Sequence, residues 1–392
     1  MKYALTNKLK SEYCLYLSVA INCLGSWLTF LAIAIILNRK YGSHHVPLSF
    51  LIQSLPPILL SPFVSKFIAR DFKAKIYGVI NFLLAVNVFF VAFNQTIYNL
   101  YAYLVIGSVL SAIQKPIMDS LYPDWFSKNA LDRIYSRVGS INSIMLMFAP
   151  PLGGLISVSF SPKVLMVVDG ATFLLATAVI WPLLLLPSKS KFKTLTKPRL
   201  FAFKHNHLNQ NLKGNLYLWY SFIFIGGIYN GIEFFLFNEH GLNSQDIGIL
   251  LGFWGLGGLI SFAFIDFLKT KSLQFYLLIY SFSFFLFVTS HSYWLLAMAF
   301  IAGGLASGLA SGKIRSLIQK SITNEDNLTI WSMIASRMAV INCICYGGSA
   351  LIIEYANSDI IKTTTEMSIL LFLFLSLKLL KEDSRIKIPS FD

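Results

Sequence analysis

The stretch GGIYNGIEFF places Glu233 inside an otherwise apolar run, with Asn230 three residues before it. Positions three apart lie on one side of a helix. An ionisable group held in hydrocarbon costs at least ~2.5 kcal/mol, so one that persists there faces a cavity or a partner. A carboxyl so placed can take up a proton on one side of a barrier and release it on the other, which makes Glu233 the first candidate proton carrier. The competing role is a structural hydrogen bond to a helix backbone. Asp169, in VDGATFLLATAVI, is the second candidate, with helix packing as its competitor. Asp119 is the third; it follows Lys115 by four residues on the same helical face, where an internal ion pair is the simpler account. Glu354 and Glu366 stand near helix ends that water can reach and receive no role.

Three cations also interrupt apolar runs: Lys115, Lys313 and Arg315. A guanidinium holds a carboxylate through two parallel bonds, so facing cations in a dry cleft favour an anion over a cationic drug. The alternative is that long basic side chains bury their stems and snorkel to the nearest water. The six histidines (44, 45, 205, 207, 240, 291) fall in loops or at their edges, so no His relay or metal site is expected in the membrane. No Gly-rich loop ending in Gly-Lys-Ser/Thr occurs, which excludes transport driven by the chain's own ATP hydrolysis. No catalytic residue and no cofactor is assigned, and the energy source expected is a proton gradient. An enzyme is not the expectation.

The elements that must hold these groups follow from composition. Hydrophobic residues make up 56% of the chain and charged ones 13%, against roughly 25% charged in a soluble domain. Apolar stretches of ~20 residues, enough for a helix to cross the hydrocarbon, recur throughout. Twelve are expected, at 13–37, 48–68, 76–95, 98–121, 137–160, 164–187, 214–237, 246–267, 272–290, 293–318, 329–354 and 361–380. The first follows Lys2, Lys8 and Lys10 but is too long for a signal peptide's apolar region and has no small-residue cleavage site, so it reads as a retained helix. The four cysteines (14, 23, 343, 345) lie in apolar runs, and 343 and 345 do not share a helix face, so no disulfide or metal framework is implied.

A net charge of +14 raises nucleic acid as a partner, but the charges follow topology instead. With a cytoplasmic N-terminus, only Arg39, Lys40, Lys163 and Lys362 of the 32 lysines and arginines fall on the outer side, as the positive-inside rule requires. The expected location is a bacterial inner membrane, multi-pass, with both termini cytoplasmic. The partners expected are a small-molecule substrate and the lipid bilayer, with no nucleic acid, and the chain is expected to act as a monomer.

Residues 188–213 form the one long polar interruption, with Lys or Arg at 189, 191, 193, 197, 199, 204 and 213. This basic linker, suited to anionic lipid at the inner leaflet, separates an N-terminal bundle (1–187) from a C-terminal bundle (214–392). The halves echo each other: SRVGSIN (136–142) returns as SRMAVIN (336–342), Ser111 as Ser311 and Lys115 as Arg315. Two parallel six-helix repeats, related by an axis along the membrane normal, are the arrangement of major facilitator transporters.

Several motifs resemble that family's. SPFVSKFIARDFKAK (61–75) is similar to its loop signature, a Gly, then Asp eight positions on, then basic residues. Ser61 replaces the Gly and Ala69 the Asp, while Arg70, Lys73 and Lys75 keep the basic part. In the second half Gly258 and Asp266 stand eight apart, followed by Lys269. In the family this cluster is a latch that holds one access state. The resemblance therefore implies latch roles for Arg70, Asp71, Lys73, Asp124, Asp266 and Lys269, docking where Arg137 and Arg337 begin their helices. The alternative is that these charges only anchor helix ends.

FAPPLGG (148–154) resembles the exporter signature G-P-x-x-G-G, with Ala149 for the first Gly. Pro150 and Pro151 bend the helix, and Gly153 and Gly154 admit a close neighbour. With Pro116, YPDWF (122–126), INSI (141–144) and VDGATF, the series looks like the macrolide-efflux and siderophore-exporter branch, most clearly in the first half. In the family, helices one, four, seven and ten line the cavity. The resemblance thus implies a lining of Asn22, Ser26, Trp27, Lys115, Tyr229, Asn230, Lys313 and Arg315, with Gln53 close by. The expected fold is an all-α integral membrane protein of twelve helices in two pseudo-symmetric bundles. The expected function is proton-coupled export of a small amphipathic organic anion, such as a carboxylate siderophore or a drug-like compound, by alternating access. The rivals are an importer of a nutrient or metal chelate on the same fold and a transport-inactive receptor.

Overall fold

A computed structural model of the chain describes residues 2–67, 73–186, 210–263, 272–321 and 327–383. The described residues form twelve α-helices and one π-helical turn, with no strand among them. These are α1 (Lys2–Ile36), α2 (His45–Phe67), α3 (Lys73–Phe93), α4 (Ile97–Trp125), α5 (Lys128–Ser159), α6 (Pro162–Leu184), α7 (Gln210–Glu239), α8 (Ser244–Ala263), α9 (Leu273–Thr289), α10 (Tyr293–Lys320), α11 (Asn327–Tyr355) and α12 (Ser358–Asp383). Nine are long and apolar enough to cross a membrane, and His45–Leu60 and Leu273–Thr289 are shorter apolar helices. A spanning chain has no water to satisfy its peptide groups, so each crossing closes its own backbone bonds as a helix.

The helices outrun several apolar spans. α5 starts at Lys128 rather than 137, and α4 continues to Trp125 rather than 121. Polar turns such as KNALDR sustain the helical backbone beyond the apolar stretch. Arg137 and Arg337 therefore lie well inside α5 and α11, not at the helix starts expected from the sequence. The ends are set locally. Thr96 accepts from the Asn99 amide at 3.3 Å and Ser272 from Phe275 at 3.3 Å. α1 runs into the π-helical turn Leu37–Tyr41 and stops at Gly42, whose φ of 113° suits glycine.

Two compact units emerge, Met1–Gly42 with Ile52–Leu200 and Leu242–Gly252, and Ser43–Leu51 with Phe201–Gly241 and Phe253–Asp392. In the first, α1 packs on α6 and α5, and α3 on α6 and α4. In the second, α7 packs on α12 and α11, and α9 on α12 and α10. The same four pairings thus recur in both. Two short segments leave the half that sequence order gives them: the first residues of α8 group with unit one and those of α2 with unit two. The cause is local packing. A side chain at Gly252 would strike Pro151 and the Met147 carbonyl, one at Gly248 the Pro150 carbonyl, and one at Gly154 the Ser244 carbonyl. The Pro150–Gly154 face of α5 and the Gly248–Gly252 spacing of α8 let two backbones approach as small residues do in membranes. In the second unit Phe50 meets Tyr346 edge-on at 5.5 Å.

Candidate functional site

The first unit holds its most deeply buried acid among the described residues between α1 and α6. Asp169 is 1% exposed. Thr172, one turn on, donates to its carbonyl at 2.8 Å and to Oδ1 at 3.2 Å. Thr29 of α1 faces the same carboxyl without completing a bond of normal geometry. Gly25 makes this approach possible, because a side chain there would collide with Thr172 and the Asp169 carboxyl. Ser18 adds a bond to the Ala176 carbonyl at 2.8 Å across the same two helices.

Further along α1 lies a contact with α5. Arg137 stands 3.8 Å from Glu12 and 5.7 Å from the centre of the Tyr16 ring. Cys23 donates its thiol to Asn142 Oδ1 at 2.6 Å. Asn22 Oδ1 is buried and has no hydrogen-bond partner among the described residues, while Ser26 is exposed and Trp27 packs edge-on to Phe30 at 5.3 Å.

The second unit repeats this contact with a different register. Arg337 of α11 lies 5.8 Å from the Tyr220 ring of α7. A side chain at Gly227 would meet Cys345 and Asn342. Tyr220 and Gly227 stand 204 residues after Tyr16 and Cys23, whereas Arg337 and Asn342 stand 200 after Arg137 and Asn142. The difference of four residues is about one helical turn, so the matching face is preserved.

Glu233 follows from the same register and matches Thr29. It is 5% exposed. The surrounding wall is aromatic. Tyr229, one turn before it, stacks on Phe284 at 4.0 Å and Trp254 at 5.5 Å, with Phe287 at 5.2 Å. Phe237, one turn after it, stacks on Phe300 at 5.9 Å. Tyr229 and Tyr346 are its electrostatic neighbours, and no cation pairs with it among the described residues. Asn230 does not share this burial; it is exposed and hydrogen-bonds Tyr346. Gly231 admits Ser349 of α11 to the opposite side of α7.

The cations do not all gather. Lys115 and Asp119 are both exposed on α4, and Asp119 feels the Lys115 charge. Neighbouring Gln114 donates to Asn81 of α3 at 2.8 Å. Arg315 lies over Trp219 of α7 at 5.1 Å, whereas Lys313 lies over Tyr276 of α9 at 5.9 Å. Residues two apart on a helix point to different sides, so Lys313 does not join Arg315. Gln53 is half-buried in α2. Of the latch residues, Lys73 and Asp124 pair at 3.6 Å with both side chains buried. Arg70, Asp71, Asp266 and Lys269 lie outside the described residues, as does the basic linker up to Asn209.

Sequence reasoning missed Glu12, Tyr16, Trp219, Tyr220, Thr172, Tyr346 and the Gly248–Gly252 face. The two tyrosines carry a signal, the 204-residue offset, but it is hidden until the helices are superposed by packing rather than by number.

A membrane-embedded bundle of two repeated units, with buried acids on internal helix faces, defines a class of secondary transporters. The Major Facilitator Superfamily sequence profile matches residues 15–352, and the chain belongs to that family. Among solved structures, a bacterial homologue of the iron transporter ferroportin, in its inward-facing state, is 18% identical with a TM-score of 0.75, covering 96% of this chain and 99% of that one. A point mutant of the peptide transporter POT is 12% identical with a TM-score of 0.75, covering 96% and 95%. The nucleoside transporter NupG is 14% identical with a TM-score of 0.69, covering 97% and 99%. At these identities the likeness shows the fold. Among curated protein sequences none matches the chain.

Proposed function

We propose that the protein is a proton-coupled secondary transporter that exports a small amphipathic organic anion by alternating access, as a monomer in a bacterial inner membrane. The observation that carries the coupling is Glu233, an acid buried in an aromatic wall with no cation paired to it among the described residues. Burying a charge without a partner is costly, so gain or loss of its proton is linked to how tightly the wall encloses it. Asp169, held by Thr172, acts as a fixed structural acid in this reading. In this reading Lys115, exposed in the first unit, and Arg315, whose guanidinium lies over Trp219 in the second, supply the attraction for an anion, with Asn22, Ser26 and Asn230 as neutral polar groups.

The test is Glu233→Gln in proteoliposomes with an imposed pH gradient. The expected result is lost proton flux with counterflow retained; unaltered proton flux would remove Glu233 from coupling. Charge reversal at Lys115 and Arg315 should abolish binding of an anionic ligand, and survival of affinity in both reversals would end the anion assignment. For direction, cells lacking an exporter accumulate its substrate, and cells lacking an importer fail to take it up.

A further inference from the structure

A cleft of about 430 Å³ lies between α3 and α6 of the first unit, lined by Gly78, Phe82, Leu174, Thr177, Ala178 and Trp181. The two helices run in opposite directions here, since Gly78 follows the start of α3 at Lys73 and Trp181 precedes the end of α6 at Leu184. The cleft is open at Gly78, where a Cβ would meet nothing within 4 Å, so a large side chain placed there has room to project into it. Phe82, Leu174 and Trp181 are exposed on its walls. Thr177 turns its hydroxyl inward to the Phe173 carbonyl at 2.8 Å, so the wall offers an acyl chain no unpaired hydroxyl.

The mouth is chemically different. Lys75, exposed on α3, stands three residues before Gly78 and so on the same face. Trp181 sits within a turn of the end of α6, where an indole occupies the headgroup level of a bilayer. An apolar groove open to the bilayer, with an indole and a cation at one end, matches a chain, a glycerol level and a negative headgroup in turn.

We propose that this cleft seats an acyl chain of an anionic phospholipid from the leaflet that meets the end of α6, with Lys75 receiving the phosphate. Two probes test it on the full chain: phosphatidylglycerol and phosphatidylcholine with identical acyl chains, read by native mass spectrometry of the detergent-purified protein. The wild type is expected to retain phosphatidylglycerol in preference to phosphatidylcholine. Lys75→Gln should lower that preference about fivefold, the effect of losing one cation near an anionic surface, and Gly78→Leu should displace both lipids.

A second readout guards against a misfolded Gly78→Leu. Brominated phosphatidylglycerol should quench a fluorescence component that disappears in Trp181→Phe and that brominated phosphatidylcholine quenches less. Equal retention of both lipids by the wild type, or unchanged retention in Gly78→Leu, would overturn the assignment. So would cysteine cross-linking at Phe82→Cys that yields a dimer unaffected by phosphatidylglycerol, because the cleft would then seat a second copy of the chain.

Discussion

In the first half the most deeply buried acid among the described residues belongs to α6, where Asp169 leans on Thr172 and faces Thr29 across the gap left by Gly25. In the second half the acid belongs to α7, at the place the register matches to Thr29, and its wall is built from Tyr229, Phe237 and their stacked partners. Gly25 itself corresponds to Tyr229. One fold has thus been filled in two ways, small and hydroxylated in one half, aromatic in the other. Hydrogen bonds from fixed hydroxyls hold a carboxyl in one geometry. Aromatic faces pack well but supply few donors, so Glu233 lacks the fixed hydroxyl partner that Asp169 has. Under the proposed function, coupling and scaffolding are divided between the two units by exchanging a side chain's helix rather than by altering the fold.

The sharpest way to break this contrast is to neutralise both acids. Glu233→Gln is expected to lose at least tenfold in proton flux while keeping its thermal stability, whereas Asp169→Asn should keep proton flux and lose about 1–3 kcal/mol of stability through its unsatisfied neighbours. Flux measured with a pH-sensitive dye inside liposomes, beside thermal unfolding in detergent, separates the two. If Asp169→Asn loses the flux and Glu233→Gln does not, the roles are reversed.

A second contrast concerns ion pairs at helix ends. Lys73 pairs with Asp124 in the first half, whereas α9 starts with Leu273, 200 residues after Lys73. Removing one partner of a buried pair costs about 3–5 kcal/mol. Lys73→Ala should therefore lower the unfolding temperature strongly, while Leu273→Ala, a cavity-forming change, should cost about 2–5 kcal/mol without salt dependence. Denaturation at two ionic strengths distinguishes an electrostatic loss from a packing one.

The C-terminal end of α7 offers a pH-dependent difference. His240 bonds the Phe287 carbonyl at 2.7 Å and lies 5.4 Å from the His291 ring, with Lys362 and Glu239 also nearby. Burial, reinforced by the His291 and Lys362 charges, pushes its imidazole below the ordinary value of 6.5, although the Phe287 bond and Glu239 oppose this. The unfolded chain then binds the proton more readily than the folded one, so stability is present above the ordinary value and is lost as pH falls through it. The register places Ile36 at the matching position of the first half, which has no such response. Thermal unfolding from about pH 7.5 to 5.5 should show a falling midpoint that flattens in His240→Gln.

The smallest expected effect lies at the paired arginines. Arg137 has both Tyr16 and Glu12, whereas the place matching Glu12 in the second half is Leu216. Arg137 is largely exposed, so Glu12→Gln should cost at most ~1 kcal/mol. Removing either tyrosine should cost a similar amount through the lost ring contact. A larger loss from Tyr220→Ala than from Tyr16→Ala would show that the Glu12 pair compensates in the first half.

Much of this was legible in the sequence. Apolar runs of membrane-spanning length announced the helices, and the twin heptapeptides announced the repeat, because both follow from local periodicity. The separation of Lys313 from Arg315 was missed, because the family resemblance put both on one lining, although a spacing of two divides helix faces. The grouping of α8's first turns with the first unit was not legible, although Gly248 and Gly252 carried its signature. Such spacing has many possible partners, and only the Pro150–Gly154 face shows which one is met. The 204-residue register of α1 and α7 stayed hidden because an added turn shifts the numbering while leaving the face unchanged.

By itself the sequence determined that this chain spans a membrane as helices, that it does so as a repeated unit, and that acids interrupt its apolar runs, because hydrocarbon enforces internal backbone bonding and penalises every charge. Only the tertiary structure decided which acid is hydroxyl-bound and which is walled by rings, and which cation rests on which aromatic face. Those choices depend on the neighbours that helix crossings supply, and crossings are set by close approaches at glycines that no local pattern assigns to a partner.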